Sequence, residues 1–129
     1  MSYAGQIVVN AQALGRALDD EGIPVEARDF GYTQSHQIAV NVADHGGGLE
    51  VAQRLEASDI IVNYNLLPHD KDARNPSGLR IGVQEMTRYG MREQEMQRLA
   101  DLIAACIKGT AVQPEVNALR AEFAELQYT

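Results

Sequence analysis

The stretch His36-Gln-Ile-Ala-Val-Asn-Val42 decides the fold class. His36, Ile38, Val40 and Val42 share one parity, and Gln37 and Asn41 share the other. A period of two puts successive side chains on opposite faces, which predicts a strand with one buried side. Such a strand needs neighbours, and the flanking sequence offers two. Asp59-Ile-Ile-Val-Asn63 reads as a second, buried strand, and Leu79-Arg-Ile-Gly82 as a third, short one. Gly46-Gly-Gly48 breaks the chain before a short helix through Val51 and Leu55. His69 to Ser77 is polar, carries Pro76 and follows Pro68, and reads as a loop.

Outside these strands the period changes to that of a helix. Ile7, Ala11, Leu14 and Leu18 make one stripe in a helix from Ser2 to Glu21, with Gly22 as its stop and Pro24 behind it. Met96, Leu99, Ile103 and Cys106 line a helix from Met91 to Ile107. Its first turn carries Glu93 and Glu95, and Lys108-Gly109 closes it. Val116 to Leu126 is a last amphipathic helix. The pattern predicts an α+β chain: a two-layer small domain in which a short, mainly antiparallel sheet is covered by helices, with a long N-terminal helix. One domain spans 1–129, the helix at 2–21 preceding a core at 24–129. The first helix is long enough to call for a covering surface beyond the rest of the chain.

Composition narrows the partners. The chain has 129 residues, 45% apolar and 22% charged, and a net charge of −7. An acidic surface repels phosphate backbones, so nucleic acid is excluded as a partner. No apolar run approaches a membrane span, and the first residues do not read as a signal peptide. Cys106 is the single cysteine, so no internal disulfide forms, and a cytoplasmic location is expected.

Five segments, in order, resemble the serine hydroxymethyltransferase family. Asn75-Pro-Ser-Gly-Leu-Arg-Ile-Gly82 followed by Thr87-Arg-Tyr-Gly90 is similar to its SGxRxG…TxRG signature. Tyr3-Ala-Gly-Gln-Ile-Val-Val-Asn-Ala-Gln-Ala-Leu14 resembles the helix leading into its small domain. Gly31-Tyr-Thr-Gln-Ser-His36 resembles its GGTDNH turn, and Ile61-Val-Asn-Tyr-Asn-Leu-Leu-Pro68 its VNKNxxP loop. Pro114-Glu-Val…Leu119…Phe123 resembles the closing helix. The resemblance implies the C-terminal small domain of a type I pyridoxal phosphate enzyme. Gly82-Val-Gln-Glu85 stands where the family has GTPA, Tyr64 where it has a lysine, and Gln34-Ser35 where it has Asp-Asn. These departures bring the chain nearer to the threonine aldolase and transaldolase side branch and leave use of folate open.

The resemblance also implies what is missing. A pyridoxal enzyme needs a lysine amine for its resting Schiff base and a partner for the ring nitrogen. The chain has two lysines, Lys71 and Lys108, and neither lies in the family's Thr-His-Lys context. The expectation is that no cofactor is bound by this chain alone and that pyridoxal phosphate sits on a partner chain, a large-domain subunit. A homo-oligomer is the other association to expect.

Arg80 is the foremost candidate site residue, because the resemblance assigns it the α-carboxylate of an amino-acid substrate. A planar guanidinium makes two parallel hydrogen bonds to a carboxylate, a geometry lysine lacks. The competing reading is an ion pair inside the domain. Asn65 matches a folate-contacting asparagine, or is a turn residue before Leu66-Leu-Pro68. His36 is a further substrate-binding candidate, or a hydrogen-bonded histidine at the start of its strand. His69, Asp70 and Asp72 have no standard metal-ligand spacing, so no metal is expected. Thr87 and Arg88 are expected to shape their turn, and Cys106 to be inert core.

Three function classes follow. In the first, the chain is the small-domain subunit of a split serine hydroxymethyltransferase- or threonine aldolase-like enzyme, a transferase or lyase inactive alone, and Arg80 completes the carboxylate site of the partner. In the second it is a non-catalytic binding or regulatory module. In the third it is a remnant that keeps the fold without activity.

Overall fold

A computed structural model describes residues 2–26, 37–58, 60, 62–65 and 78–125, and for 63–65 the backbone alone. Its elements are α1 (Tyr3–Asp20), β1 (Gln37–Asn41), a 3₁₀ turn (Ala43–His45), α2 (Gly48–Ala57), β2 (Asn63–Asn65), β3 (Gly78–Gly82), α3 (Gln84–Arg88), α4 (Glu93–Ile107) and α5 (Gln113–Glu122). This is the expected α+β small domain with a long N-terminal helix.

Each end of α1 has a physical cause. Ser2 is its N-cap, and the Ser2 hydroxyl oxygen accepts from the Gly5 N–H at 3.1 Å. At the other end Gly22 takes φ +87°, a conformation open to glycine, and Lys108 Nζ donates to the Glu21 carbonyl at 2.9 Å. The predicted stripe is real: Ala11, Leu14 and Leu18 are buried, and Ile7 packs at their edge. The covering surface is within the chain, since α1 lies along α4 and against α3. The stripe is also wider than the apolar residues, because Gln6 and Asn10 are buried on it too.

The sheet is antiparallel, in the order β1-β3-β2. Ile38 pairs with Ile81 and Val40 with Leu79, and all four are buried on the helix side. Val42 continues the parity, also buried. Pro24 to Glu26 run along the outer edge of β1, where Asn41 N–H donates to Pro24 O and Glu26 N–H to Ala39 O, each at 2.8 Å. The second strand lies later than the apolar run suggested. Ile60 N–H is spent on the Leu55 carbonyl at the end of α2, and Ile60 and Val62 pack sideways onto the core. Pairing begins only at Asn63. Apolar runs mark burial, and burial does not require a ladder.

Two further differences are local. The segment around Thr87 is helical, not an open turn. The last helix starts at Gln113, with Pro114 in its first turn, where the absent N–H costs nothing. Met96, Leu99, Ile103 and Cys106 of α4 are buried as expected, and the Cys106 thiol faces the Arg54 carbonyl at 3.5 Å. The Arg54 guanidinium in turn donates to the carbonyls of Ile107 and His45, which closes the end of α4.

Candidate carboxylate site on the open sheet face

β3 is the central strand, so its outward residue stands between two neighbours. That residue is Arg80, which is exposed while Leu79 and Ile81 are buried. Its backbone lies opposite Ala39 of β1 and Asn63 of β2. The other outward positions of β3 are Gly78 and Gly82. Arg80 is therefore the one side chain that β3 puts on this face, with a glycine two residues away on either side. Glycine within a strand leaves room for close approach of another group; at Gly78 that room is already covered, since Gly78 is buried while Gly82 is half-buried. Ala39, with a single methyl, adds little bulk beside it.

At the Gly82 end the space is partly taken. A Cβ on Gly82 would come 2.5 Å from Gln84 Oε1 and 3.6 Å from Gln37 Cγ. The two glutamine side chains thus lie over Gly82, on the face of Arg80. At the Gly78 end lies Asn41, whose Oδ1 accepts from the Ala43 N–H at 2.9 Å. Among the described residues the face is polar, and Glu26 stands at its far edge, opposite Ala39. Among the described residues no carboxylate pairs with Arg80; the ion pairs are Arg54–Glu50, Arg88–Glu85 and Arg98–Glu122. An exposed guanidinium between glycines and neutral amides has the chemistry to accept an anion bidentately.

The other candidates divide. Asn65 lies opposite Gly78, so its register position belongs to the same face as Arg80. His36 lies outside the described residues, as do Lys71 and the His69–Asp72 group. Gln84 and Gln37 were not singled out as site residues, although Gln37 was legible as an outward member of the β1 alternation. Among the described residues there is no group of three His, Cys, Asp or Glu side chains suited to a metal, and no helix long and apolar enough to cross a membrane.

Thr87, one turn beyond the site, is fully buried. Its hydroxyl donates to the Val83 carbonyl at 2.7 Å and accepts from Asn10 Nδ2 at 2.8 Å. Arg88 is half-exposed beside Glu85 at 3.6 Å.

The fold defines a class first. It is an α+β small domain of the kind found in the crystal structure of L-threonine transaldolase from Pseudomonas fluorescens in its internal aldimine state. The match has a TM-score of 0.79 and 32% identity, and covers 95% of this chain and 28% of that one. The chain belongs to the serine hydroxymethyltransferase family, whose model matches residues 1–103. It is 50% identical to serine hydroxymethyltransferase of Saccharolobus islandicus over 99% of this chain and 31% of that protein. With the Pyrobaculum aerophilum enzyme it shares 50% identity over 98% of this chain and 30% of that protein. The chain thus spans about a third of the length of the curated relatives it matches.

The described residues do not fit pyridoxal phosphate. Lys108 is exposed at the end of α4 and spends its amine on the carbonyl that ends α1. That is the setting of a helix cap, with no enclosing wall to shield a Schiff base.

Proposed function

We propose that this chain supplies the carboxylate-gripping part of a pyridoxal phosphate-dependent aldol-type enzyme acting on β-hydroxy amino acids. The observation that carries the reading is the isolation of Arg80: exposed, central in the sheet, flanked by Gly78 and Gly82, and without a carboxylate partner among the described residues. The cofactor and its lysine then belong to a large domain on another polypeptide, and the two chains form one cytoplasmic complex. Arg80 holds the substrate carboxylate and so fixes the rotation of the α-carbon bonds. Asn65 and His36 are the further residues that the family resemblance assigns to substrate. The neutral amides of Gln37 and Gln84 leave the carboxylate unrepelled.

Purification of the tagged chain from its native cells tests this. The expected result is a second polypeptide with the visible absorbance of bound pyridoxal phosphate, and release of an aldehyde from a β-hydroxy amino acid by the pair. A chain recovered as a monomer or homo-oligomer, with no such partner, would sink it. The binding-module reading draws on the same open face, complete without a partner. It is favoured instead if the chain alone binds glycine with an affinity that Arg80→Lys removes.

A further inference from the structure

Three buried polar side chains, Gln6, Asn10 and Thr87, meet inside the packing of α1, and Gln6 reaches from there to the exposed Glu93 of α4. Asn10, fully buried at mid-helix in α1, donates both Nδ2 protons: one to Thr87 Oγ1 and one to the Met91 carbonyl, each at 2.8 Å. Its Oδ1 accepts from Gln6 Nε2 at 2.9 Å, and the other Gln6 proton goes to Glu93 Oε2 at 2.9 Å. Thr87 passes its own proton to the Val83 carbonyl. Among the described residues no buried side-chain polar atom is left without a partner.

Stability alone does not call for this arrangement, because apolar residues of the same shape fill such an interface as well or better. What directed bonds add is register. A slide of α1 by one residue, about 1.5 Å, would break both bonds that Asn10 makes across the interface, to Thr87 and to the Met91 carbonyl. The register so fixed reaches the site by a short route. Val83 is the one residue between β3 and α3, and its carbonyl is the acceptor of Thr87. The start of α3 is tied to α1 as well, since the Tyr3 hydroxyl donates to the Gln84 carbonyl at 3.1 Å. Val83 is three residues, roughly 10 Å, along the chain from Arg80. β3 is paired with β1 through Gly82 and with β2 up to Arg80, so a shift at its end is carried along the β1 ladder toward Arg80.

We infer that Asn10 and Thr87 are positioning residues for Arg80: their buried hydrogen bonds lock α3 to α1 and so set where β3 presents the guanidinium. The inference rests on the reading of Arg80 as a carboxylate ligand. A bidentate contact tolerates little displacement, and a misplacement of about 1 Å costs as much as a hundredfold in rate.

The test uses the full chain and its active complex. Thr87→Val keeps the buried shape and removes the hydroxyl, while Thr87→Ser keeps the hydroxyl. In ¹⁵N NMR spectra of the chain, Thr87→Val should move the amide resonances of Gly78 to Gly82 and the Arg80 Nε–Hε signal, and Thr87→Ser should restore them. In the complex, Thr87→Val should raise KM for the amino acid about tenfold, with a smaller change in kcat. Tyr3→Phe, at the surface end of the same contact, should shift the same resonances less and keeps the test open if Thr87→Val does not fold. A lowered melting temperature with β3 resonances and KM at wild-type values would overturn the inference. Arg80→Lys, run alongside, separates the two ideas. If it leaves KM unchanged, the carboxylate reading fails, and the β3 resonances still decide whether α1 positions the strand.

Discussion

Asn10 and Arg80 are both polar, both lie near the middle of a regular element, and their surroundings are opposite. Asn10 has no exposure, and its amide is spent on three partners. Arg80 is exposed, and among the described residues no carboxylate forms an ion pair with it. A buried amide left unpaired costs about 1–3 kcal/mol, so the fold itself must answer it. An exposed guanidinium is answered by water, and water yields to a ligand that offers two oxygens. Polarity that serves the fold therefore turns inward and is saturated, and polarity available for chemistry turns outward.

The largest effect should come from the packed side. Leu14 is fully buried where α1 meets the core. Leu14→Ala should lower the unfolding free energy by about 2–5 kcal/mol, read from urea denaturation, because the removed methyls leave a cavity that rigid helices fill poorly. A loss below about 1 kcal/mol would mean that α1 contributes little to this domain's packing, and the contrast with the open face would weaken.

The two regions were not equally legible. The apolar stripe of α1, the buried parity of β1 and the α4 face follow from period alone, because apolar side chains must leave water together. Gln6 and Asn10 did not follow, since an amide on a buried stripe reads as an interruption until its partners at Thr87 and Met91 are brought beside it by the fold. The strand of Asn63 to Asn65 was placed too early for a related reason: Ile60 and Val62 are partly buried against the core ahead of the paired residues. On the open face Arg80 was found through the SGLRIG resemblance. That Gly78 and Gly82 flank Arg80 on its own face needed the register, and the glutamines over Gly82 needed the fold.

A smaller effect isolates backbone from packing. Gly22 has φ +87°, and a Cβ there would meet nothing within 4 Å. Gly22→Ala should therefore cost about 1–2 kcal/mol through the left-handed conformation alone. Thermal melts compared with an exposed alanine replacement inside α1, such as Arg16→Ala, check it. A neutral Gly22→Ala would show that the end of α1 can relax, and would loosen the fixed register on which the contrast depends.

Smaller still is the surface pair of Arg98 and Glu122, 2.7 Å apart, which joins α4 to α5. The guanidinium hydrogen bond holds the Glu122 carboxyl below its ordinary range. A lowered carboxylate pKa stabilises the fold above the unfolded value, and that contribution disappears as pH falls through the folded one. Glu21 has the opposite sign. Its carboxyl shares a hydrogen bond with Asp101 and is raised, so its contribution is present at low pH and fades as pH rises. Arg98→Ala should cost a little at neutral pH, less in high salt, and nothing once Glu122 is protonated. Melting curves from pH 7 down to pH 3 check the sign, and a penalty that grows in acid would contradict it.

The smallest change in stability is expected at Arg80, and it sharpens the comparison most. If the open face carries chemistry, the fold has nothing invested in this side chain. Arg80→Lys should then change the unfolding free energy by less than about 0.5 kcal/mol, as at other exposed positions free of special contacts. Lysine keeps the charge and the length of the stem but replaces the planar fork by a point donor. In the complex with a cofactor-bearing large domain, the amino-acid affinity should fall by roughly tenfold to a hundredfold, the loss of about one hydrogen bond to a charged group. The ratio of the two effects is the informative quantity. A domain-internal ion pair predicts the reverse, with stability lost and affinity per folded molecule retained. Urea titration and glycine binding on the same preparation measure both. A destabilised Arg80→Lys chain with unchanged affinity would move Arg80 to the side of Asn10, as a residue the fold requires, and would leave the open face without its ligand.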